Sequence, residues 1–382
     1  MKLVHIADTH LGLAAFSRLD PDSGMNLREK QIYDNFLAAI DVIIREKPDV
    51  LVHAGDLFDT VKPKTRAYTT VLDALTRLHE AGIPLVIVTG NHSMVKTRYT
   101  TSPLAVLDYH PSEIHAAYSF KYERVEIGDT VFHLIPNMLR VEDYRTAYDK
   151  IELAPGRNNV LVTHGLATAI KDKRLATVAE HELDSTILSD RFDYIALGHY
   201  HNQSQITTNA WYSGSTEYLT YGEIRDEKGG LVVDPARHTV DHLDLPRTPM
   251  YDCGTIACAG RHMAEITNEI IGRVEQKRPE KFSLAQVTLD GMSREHGKGI
   301  DMRALAPVRE LLLDLKIRVV AAGEEMAVPL QQDVRAIDYL AEFSTFLDKQ
   351  QLSAKQKAFV AATGREVLAA VMEEHREVGD DH

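Results

Sequence analysis

Near the start of the chain stands Leu3-Val-His-Ile-Ala-Asp-Thr-His10, LVHIADTH, where an apolar run from Leu3 to Ala7 reads as a short strand. The run ends in a carboxylate and an imidazole two residues apart. On an extended segment such residues lie on one face, so Asp8 and His10 can reach the same ligand. The same ending recurs along the chain. Val50–Ala54 runs into Gly55-Asp56-Leu-Phe-Asp59, and Leu85–Thr89 into Gly90-Asn91-His92. Val160–Thr163 runs into His164-Gly165, and Tyr194–Leu197 into Gly198-His199-Tyr-His201. Between the early strands lie helical patterns. Glu29–Glu46 carries Ile32, Phe36, Ile40 and Ile43 at helical spacing, and Thr65–Ala81 is closed by Gly82 and Pro84. Strands separated by helices imply a largely parallel sheet, whose ligand sites lie outside the carboxyl ends of the strands. Five scattered clusters can then converge on one site.

After about residue 110 the pattern becomes strand-rich: Tyr122–Ile127, Val131–Ile135, Ala210–Ser213, Leu231–Val233 and Thr239–Leu243 add to the strands above, with a hairpin turn at Gly128-Asp129. This mixture fits two packed sheets flanked by helices. Leu245–Pro249 reads as a linker. Beyond it a helix (His262–Gln276), a strand (Phe282–Leu289), a helix (Met302–Leu315) and a strand (Ile317–Val320) make a small α/β accessory domain. Val334–Leu347 and Ala354–Glu373 then form two amphipathic helical patterns.

At 382 residues the chain is long enough for two or three domains, and 44% hydrophobic with 26% charged residues is ordinary for a globular protein. Cys253 and Cys258 are the only cysteines, which excludes a disulfide framework and favours a reducing compartment. Their C-x4-C spacing is not a zinc half-site. The first apolar run is too short for a signal sequence, and none later approaches the ~20 residues of a membrane span. A cytoplasmic, chromosome-associated protein with no membrane partner is expected. A formal net charge of −13 argues against a basic coat for nucleic acid.

The donors gathered at the strand ends are carboxylates, imidazoles and one amide oxygen, with no thiol. Such a set suits a pair of divalent cations, Mn²⁺ ahead of Mg²⁺, Fe²⁺ or Zn²⁺. Two cations about 3.5–4 Å apart need a shared ligand, which a carboxylate can be and a neutral imidazole cannot, and Asp56 is the candidate bridge.

The series Asp8-x-His10, Gly55-Asp56, Gly90-Asn91-His92, His164 and Gly198-His199-x-His201 resembles the calcineurin-like metallophosphoesterase superfamily. Within it, HIADTHLG, AGDLFD and GNH are similar to the Mre-eleven/SbcD family of DNA repair nucleases, over the first ~245 residues. The resemblance implies a two-sheet αββα sandwich (residues 1–245), a small α/β capping domain (250–325) and a C-terminal helix pair (333–376) that docks on an SMC-like coiled-coil ATPase of the Rad-fifty/SbcC type. It implies one metal held by Asp8, His10, Asp56 and His201 and another by Asp56, Asn91, His164 and His199. His92 would then be a catalytic group, donating to a phosphate oxygen or protonating the departing 3′ oxygen, with Asp59 orienting it. The implied activity is 3′-5′ exonuclease on duplex DNA ends and endonuclease on single strands, in double-strand-break repair. One departure is visible: the family usually places an acidic residue after Gly-Asn-His, and here Ser93 follows.

DNA contacts would come from Lys62, Lys64 and Arg66, from Lys96 and Arg98, and from Lys171, Lys173 and Arg174, in loops after motif-bearing strands. Val71, Leu75, Leu104 and Leu107 offer either a homodimer face or core packing. Two other readings stay open: a phosphoesterase for small phosphodiesters or phosphoproteins, since one metal centre serves many substrates, and a non-catalytic DNA-end scaffold.

Overall fold

The computed structural model describes residues 1–94, 101–167, 170, 182–183, 188–292, 297, 299–320, 357, 360–361 and 363–364. Met1–Met326 form one compact unit and Ala327–His382 a second. The expected helix pair over 333–376 lies almost wholly outside the described residues; in the second unit Lys357, Val360, Ala361, Thr363 and Gly364 are helical.

In chain order the first unit runs β1 (Leu3–Ile6), α1 (Leu27–Glu46), β2 (Val50–His53), α2 (Thr65–Glu80), β3 (Leu85–Val88), β4 (Ile114–Ala117), β5 (Glu123–Ile127), β6 (Thr130–Ile135), α3 (Val141–Tyr148) and β7 (Asn158–His164). There follow β8 (Leu166–Ala167), β9 (Glu182–Leu183), β10 (Tyr194–Gly198), β11 (Ser204–Gln205), β12 (Ala210–Tyr212), β13 (Gly230–Asp234) and β14 (Thr239–Leu243). The unit ends with β15 (Met250–Ala257), α4 (Met263–Gln276), β16 (Leu284–Asp290), α5 (Ala306–Leu311) and β17 (Asp314–Val320).

β1, β2 and β3 are buried at every position, the mark of strands covered on both faces. They pair in parallel with β4 in a six-stranded sheet of order β14-β13-β1-β2-β3-β4, with β13 antiparallel to β1. The second sheet has order β11-β12-β10-β7-β6-β5, parallel through its middle and antiparallel at both edges. Its hairpin turns at Gly128-Asp129, as the sequence indicates. Val50, Val52, Val86 and Val88 of the first sheet pack against Phe132, Leu134, Val160 and Val162 of the second. Each such side chain contributes roughly 1.5–3 kcal/mol by leaving water. The outer face of the first sheet is covered by α1 and α2, and that of the second by Tyr144, Ala147 and Tyr148 of α3 with Phe192. The layers are helix, sheet, sheet, helix, which is the αββα expectation.

Helix α1 begins at Leu27, two residues before the sequence pattern, because the Asn26 side chain accepts the Glu29 N–H at 3.0 Å and caps the first turn. Val71, Leu75, Leu104 and Leu107 are each no more than 2% exposed and pack into the core with α1, so they make no dimer face. Their apolar stripe is spent inside the chain. The helix expected over Met302–Leu315 is also corrected: α5 covers Ala306–Leu311 only. From Asp314 the chain pairs with β16, and this parallel pairing takes the residues that periodicity assigned to a helix.

Beyond Pro249 the strands β15, β16 and β17 form a separate parallel sheet whose apolar face is covered by Ile266, Ile270 and Val274 of α4 and Val308 of α5. Cys253 and Cys258 are buried in this small core as free thiols. The other face carries Gln286, Thr288 and Arg318, which line a cavity of about 740 Å³ together with Tyr221 and Arg225. Arg18 donates to the carbonyls of Arg309, Glu310 and Leu312, closing the end of α5. The buried Arg28–Glu217 pair, with Thr248, pins the linker. Among the described residues no helix is long and apolar enough to cross a membrane.

Candidate metal centre

Parallel strands deliver their carboxyl ends to one edge of each sheet, and the two edges meet. The buried His164 Nδ1 donates to the Ala54 carbonyl at 2.8 Å, across the sheets. The His199 N–H donates to both carboxylate oxygens of Asp8, at 3.1 and 3.0 Å. The contact is close enough to demand glycine. A Cβ on Gly198 would stand 2.0 Å from the Ala54 oxygen, and one on Gly55, at φ +104°, would stand 2.2 Å from His164 Nδ1. The glycine that precedes a metal-type residue in these motifs is therefore a packing requirement.

Asp8, His10, Asp56 and His199 all adopt positive φ, at 53°, 44°, 53° and 105°. Side chains other than glycine seldom do so, at about 1–3 kcal/mol each, and such strain gathers at functional sites. Here it falls on residues in the loops that follow β1, β2 and β10.

All seven expected ligands lie at this edge. Asp8, His10 and His201 offer ligand atoms within 4.8 Å of one another, and so do Asp8, Asp56 and His164. Asp56 Oδ2 stands 4.0 Å from His10 Nε2 and 3.3 Å from His164 Nε2, between an imidazole of each set. Asn91 Oδ1 lies 2.9 Å from His164 Nε2 and 3.2 Å from His199 Nδ1. His10 Nδ1 faces the Asp59 carboxylate at 3.2 Å, while its Nε2 is buried with no hydrogen-bond partner. A buried ring nitrogen left open toward carboxylates is what a cation site needs, so these residues fit divalent metal ions.

The charges in the cluster act strongly on one another. Burial alone would raise the Asp56 carboxyl, but the adjoining His164 and His10 hold it well below the ordinary range. Burial alone would lower His164, yet the Asp56 carboxylate raises it to about 9. His199 is pushed down to about 3 by burial first and then by His164.

Residues 1–203 match the calcineurin-like phosphoesterase family. The chain is 30% identical over 286 residues to the DNA double-strand break repair protein Mre11 of Methanocaldococcus jannaschii, covering 72% of this chain and 74% of that one. With the protein of the same name from Thermoplasma acidophilum it shares 29% identity over 252 residues, 62% of this chain and 63% of that one. With the SbcD subunit of the SbcCD nuclease of Staphylococcus saprophyticus it shares 24% over 353 residues, 80% and 90%. The chain belongs to the calcineurin-like phosphoesterase family. It is a metal-dependent phosphoesterase, and the clusters above are this metallophosphoesterase's candidate ligand groups.

His92 stands at the mouth of the metallophosphoesterase site with its side chain 42% exposed, its ring 4.6 Å from that of His10 and perpendicular to it. The expectation for Asp59 changes in detail. His92 Nδ1 donates at 2.9 Å to the backbone carbonyl of Asp59, whereas the carboxylate is turned to His10 and lies 3.9 Å from His92. His10 is the nearer donor, so it takes the carboxylate's hydrogen bond. Ser93 is buried, its hydroxyl donating to the Phe58 carbonyl at 3.3 Å.

Of the basic residues, Lys62 and Arg66 are exposed, and Lys64 is ion-paired at 2.7 Å with the buried Glu29. Lys96, Arg98, Lys171, Lys173 and Arg174 lie outside the described residues. Two residues that no sequence pattern singles out also belong to the site's surroundings. Glu223 accepts from His201 Nδ1 at 3.1 Å, and the buried Lys228 bonds Glu223 at 2.8 Å. Burial alone would raise Glu223, but His201 and Lys228 together hold it low. No motif marks them, because they sit in and just after a short 3-10 turn that only the folded chain brings to His201.

Proposed function

We propose that this metallophosphoesterase is a DNA nuclease of a double-strand-break repair complex, acting as a 3′-5′ exonuclease on duplex ends and an endonuclease on single strands. The observation that carries it is Asp56 Oδ2, lying between His10 and His164 in a chain related to Mre11 and to the SbcD nuclease subunit. Asp8, His10, Asp56 and His201 would hold one divalent ion and Asp56, Asn91, His164 and His199 the other, Mn²⁺ suiting this donor set best. When bound, such a pair acidifies a water and neutralises charge on an in-line phosphodiester displacement.

The chain's own residues supply the rest. The Asp59 carbonyl fixes the hydrogen of His92 on Nδ1, which leaves Nε2 to face a substrate entering from solvent. In its imidazolium form that nitrogen donates to a phosphate oxygen or returns a proton to the departing 3′ oxygen. The exposed Lys62 and Arg66 would contact backbone phosphates, and the pairing of Lys64 with Glu29 reduces its share. With a net charge of −13, unaided DNA binding is weak and steeply salt-dependent. This favours action beside a coiled-coil ATPase docked on the 333–376 segment, with residues 250–325 as a cap over the nuclease domain and the chain as a homodimer.

The test is incubation of the purified chain with Mn²⁺ or Mg²⁺, end-labelled duplex DNA and, separately, bis-p-nitrophenyl phosphate, with and without the coiled-coil ATPase. Shortening of the DNA from its 3′ ends is expected. Turnover of the small diester with none of DNA, even with the ATPase present, would overturn the nuclease reading.

A further inference from the structure

His201 is held through both its ring and its backbone. Its Nδ1 donates to Glu223 Oε1, and its backbone carbonyl accepts from Lys228 Nζ at 2.8 Å. Lys228 is fully buried along its side chain and spends its ammonium on three acceptors: that carbonyl, Ser215 Oγ at 2.9 Å and Glu223 Oε2 at 2.8 Å. Glu223 Oε2 also accepts the Leu219 N–H at 3.0 Å, and Thr220 Oγ1 reaches Oε1 at 3.3 Å. Every hydrogen-bonding position of this buried pair is thus occupied, which a buried pair needs to repay its loss of water. With Nδ1 committed to Glu223, only Nε2 of His201 remains for Asp8, His10 and whatever they bind.

Glu223 ends the short 3-10 turn Tyr221–Glu223. At the turn's other end the Tyr221 hydroxyl donates to Asp314 Oδ2 at 2.8 Å, on β17 of the small sheet. The turn forms one wall of the 740 Å³ cavity, whose opposite wall is that sheet's polar face. One three-residue turn therefore contacts the ligand cluster through the Glu223 side chain and the three-stranded sheet through that of Tyr221.

We propose that Glu223, oriented by Lys228, is the positioning residue of His201, and that the Tyr221–Glu223 turn ties the seating of the three-stranded sheet to the affinity of the metal held by Asp8, His10 and His201. This rests on His201 being a ligand, as in the nuclease reading. Removing a partner that orients a ligating histidine typically weakens metal binding 10–100-fold.

The experiment titrates the full metal-free chain with Mn²⁺ by calorimetry and monitors its fold by circular dichroism. Glu223→Gln is expected to weaken one of two sites about 10–100-fold and leave the other within about 3-fold, a split that general loosening of the fold does not produce. Should that variant unfold, Glu223→Gln with Lys228→Met removes both charges of the pair and carries the same expectation. Tyr221→Phe is expected to weaken the same site several-fold. Wild-type affinity at both sites in a folded Glu223 variant overturns the positioning role, and wild-type affinity in Tyr221→Phe overturns the tie to the sheet. If the wild type binds two Mn²⁺ but cleaves no DNA even with the coiled-coil ATPase present, the nuclease reading fails while this one stands; if it binds fewer than two, both fail.

Discussion

Asp56 accepts the backbone N–H of His92 at 2.9 Å through Oδ1, while its Oδ2 stands between His10 and His164. One carboxylate therefore both joins the two ligand clusters and sets where the exposed imidazole is held. Asp56→Asn keeps the shape but removes the charge that both sets face. Calorimetric Mn²⁺ titration should show the loss of both tight sites, by more than about 100-fold. Retention of one site at wild-type affinity would show that Asp56 serves a single ion.

His92 Nδ1 is committed to the Asp59 carbonyl and the side chain is largely exposed, so its loss should separate binding from turnover. His92→Gln is expected to leave Mn²⁺ affinities within about 3-fold and to lower kcat on phosphodiesters by roughly 100- to 10,000-fold. Equal losses of metal and of rate would instead make His92 a ligand.

Gly198 leaves no room for a methyl group, with the Ala54 carbonyl 2.0 Å from the site of any Cβ. Gly198→Ala must push the two sheet edges apart. A loss of about 3 kcal/mol in urea unfolding is expected, together with weaker Mn²⁺ binding. An unchanged unfolding midpoint would mean that the sheets part easily here.

His5, buried between the sheets and bonded to Tyr194 at 2.9 Å, is lowered to about 3, by burial first and His53 second. The unfolded chain binds this proton below about pH 6.5, and the folded chain does not until about pH 3. The stability that His5 contributes is therefore complete above pH 6.5 and is lost as the pH falls toward 3. At pH 5 the deficit is about 2 kcal/mol. His5→Gln keeps a partner for Tyr194 but cannot titrate. Between pH 7.5 and pH 5 the wild type should lose about 2 kcal/mol more than this variant, and parallel losses would assign the acid sensitivity elsewhere.

Much of this site is legible in the linear chain because its residues obey a local rule. Asp8, Asp56, Asn91, His164 and His199 each follow a short apolar strand, and parallel strands must bring such endings together. What escapes is set by tertiary contact. The choice of Asp59 between His10 and His92 depends on which imidazole lies nearer its carboxylate, and no spacing encodes that. Glu223 and Lys228 look like solvated charges in a loop. β4 and α3 are too short to show a period, and residues 312–315 continue a helical pattern although pairing with β16 takes the chain from Asp314 into a strand. Val71 and Leu75 illustrate the reverse ambiguity, since one apolar stripe serves equally for a core or an interface until something covers it.

The place of β1 between β2 and β13 has a consequence for biosynthesis. β1 finds one neighbour, Val50–His53, soon after it leaves the ribosome, but the other, Gly230–Asp234, is made much later. Until that segment emerges, one edge of β1 has no mate and the bed beneath Asp8 is unfinished. Cation uptake is therefore expected late in the life of the nascent chain, and ribosome-stalled chains halted before Gly230 should emerge without the ability to retain Mn²⁺.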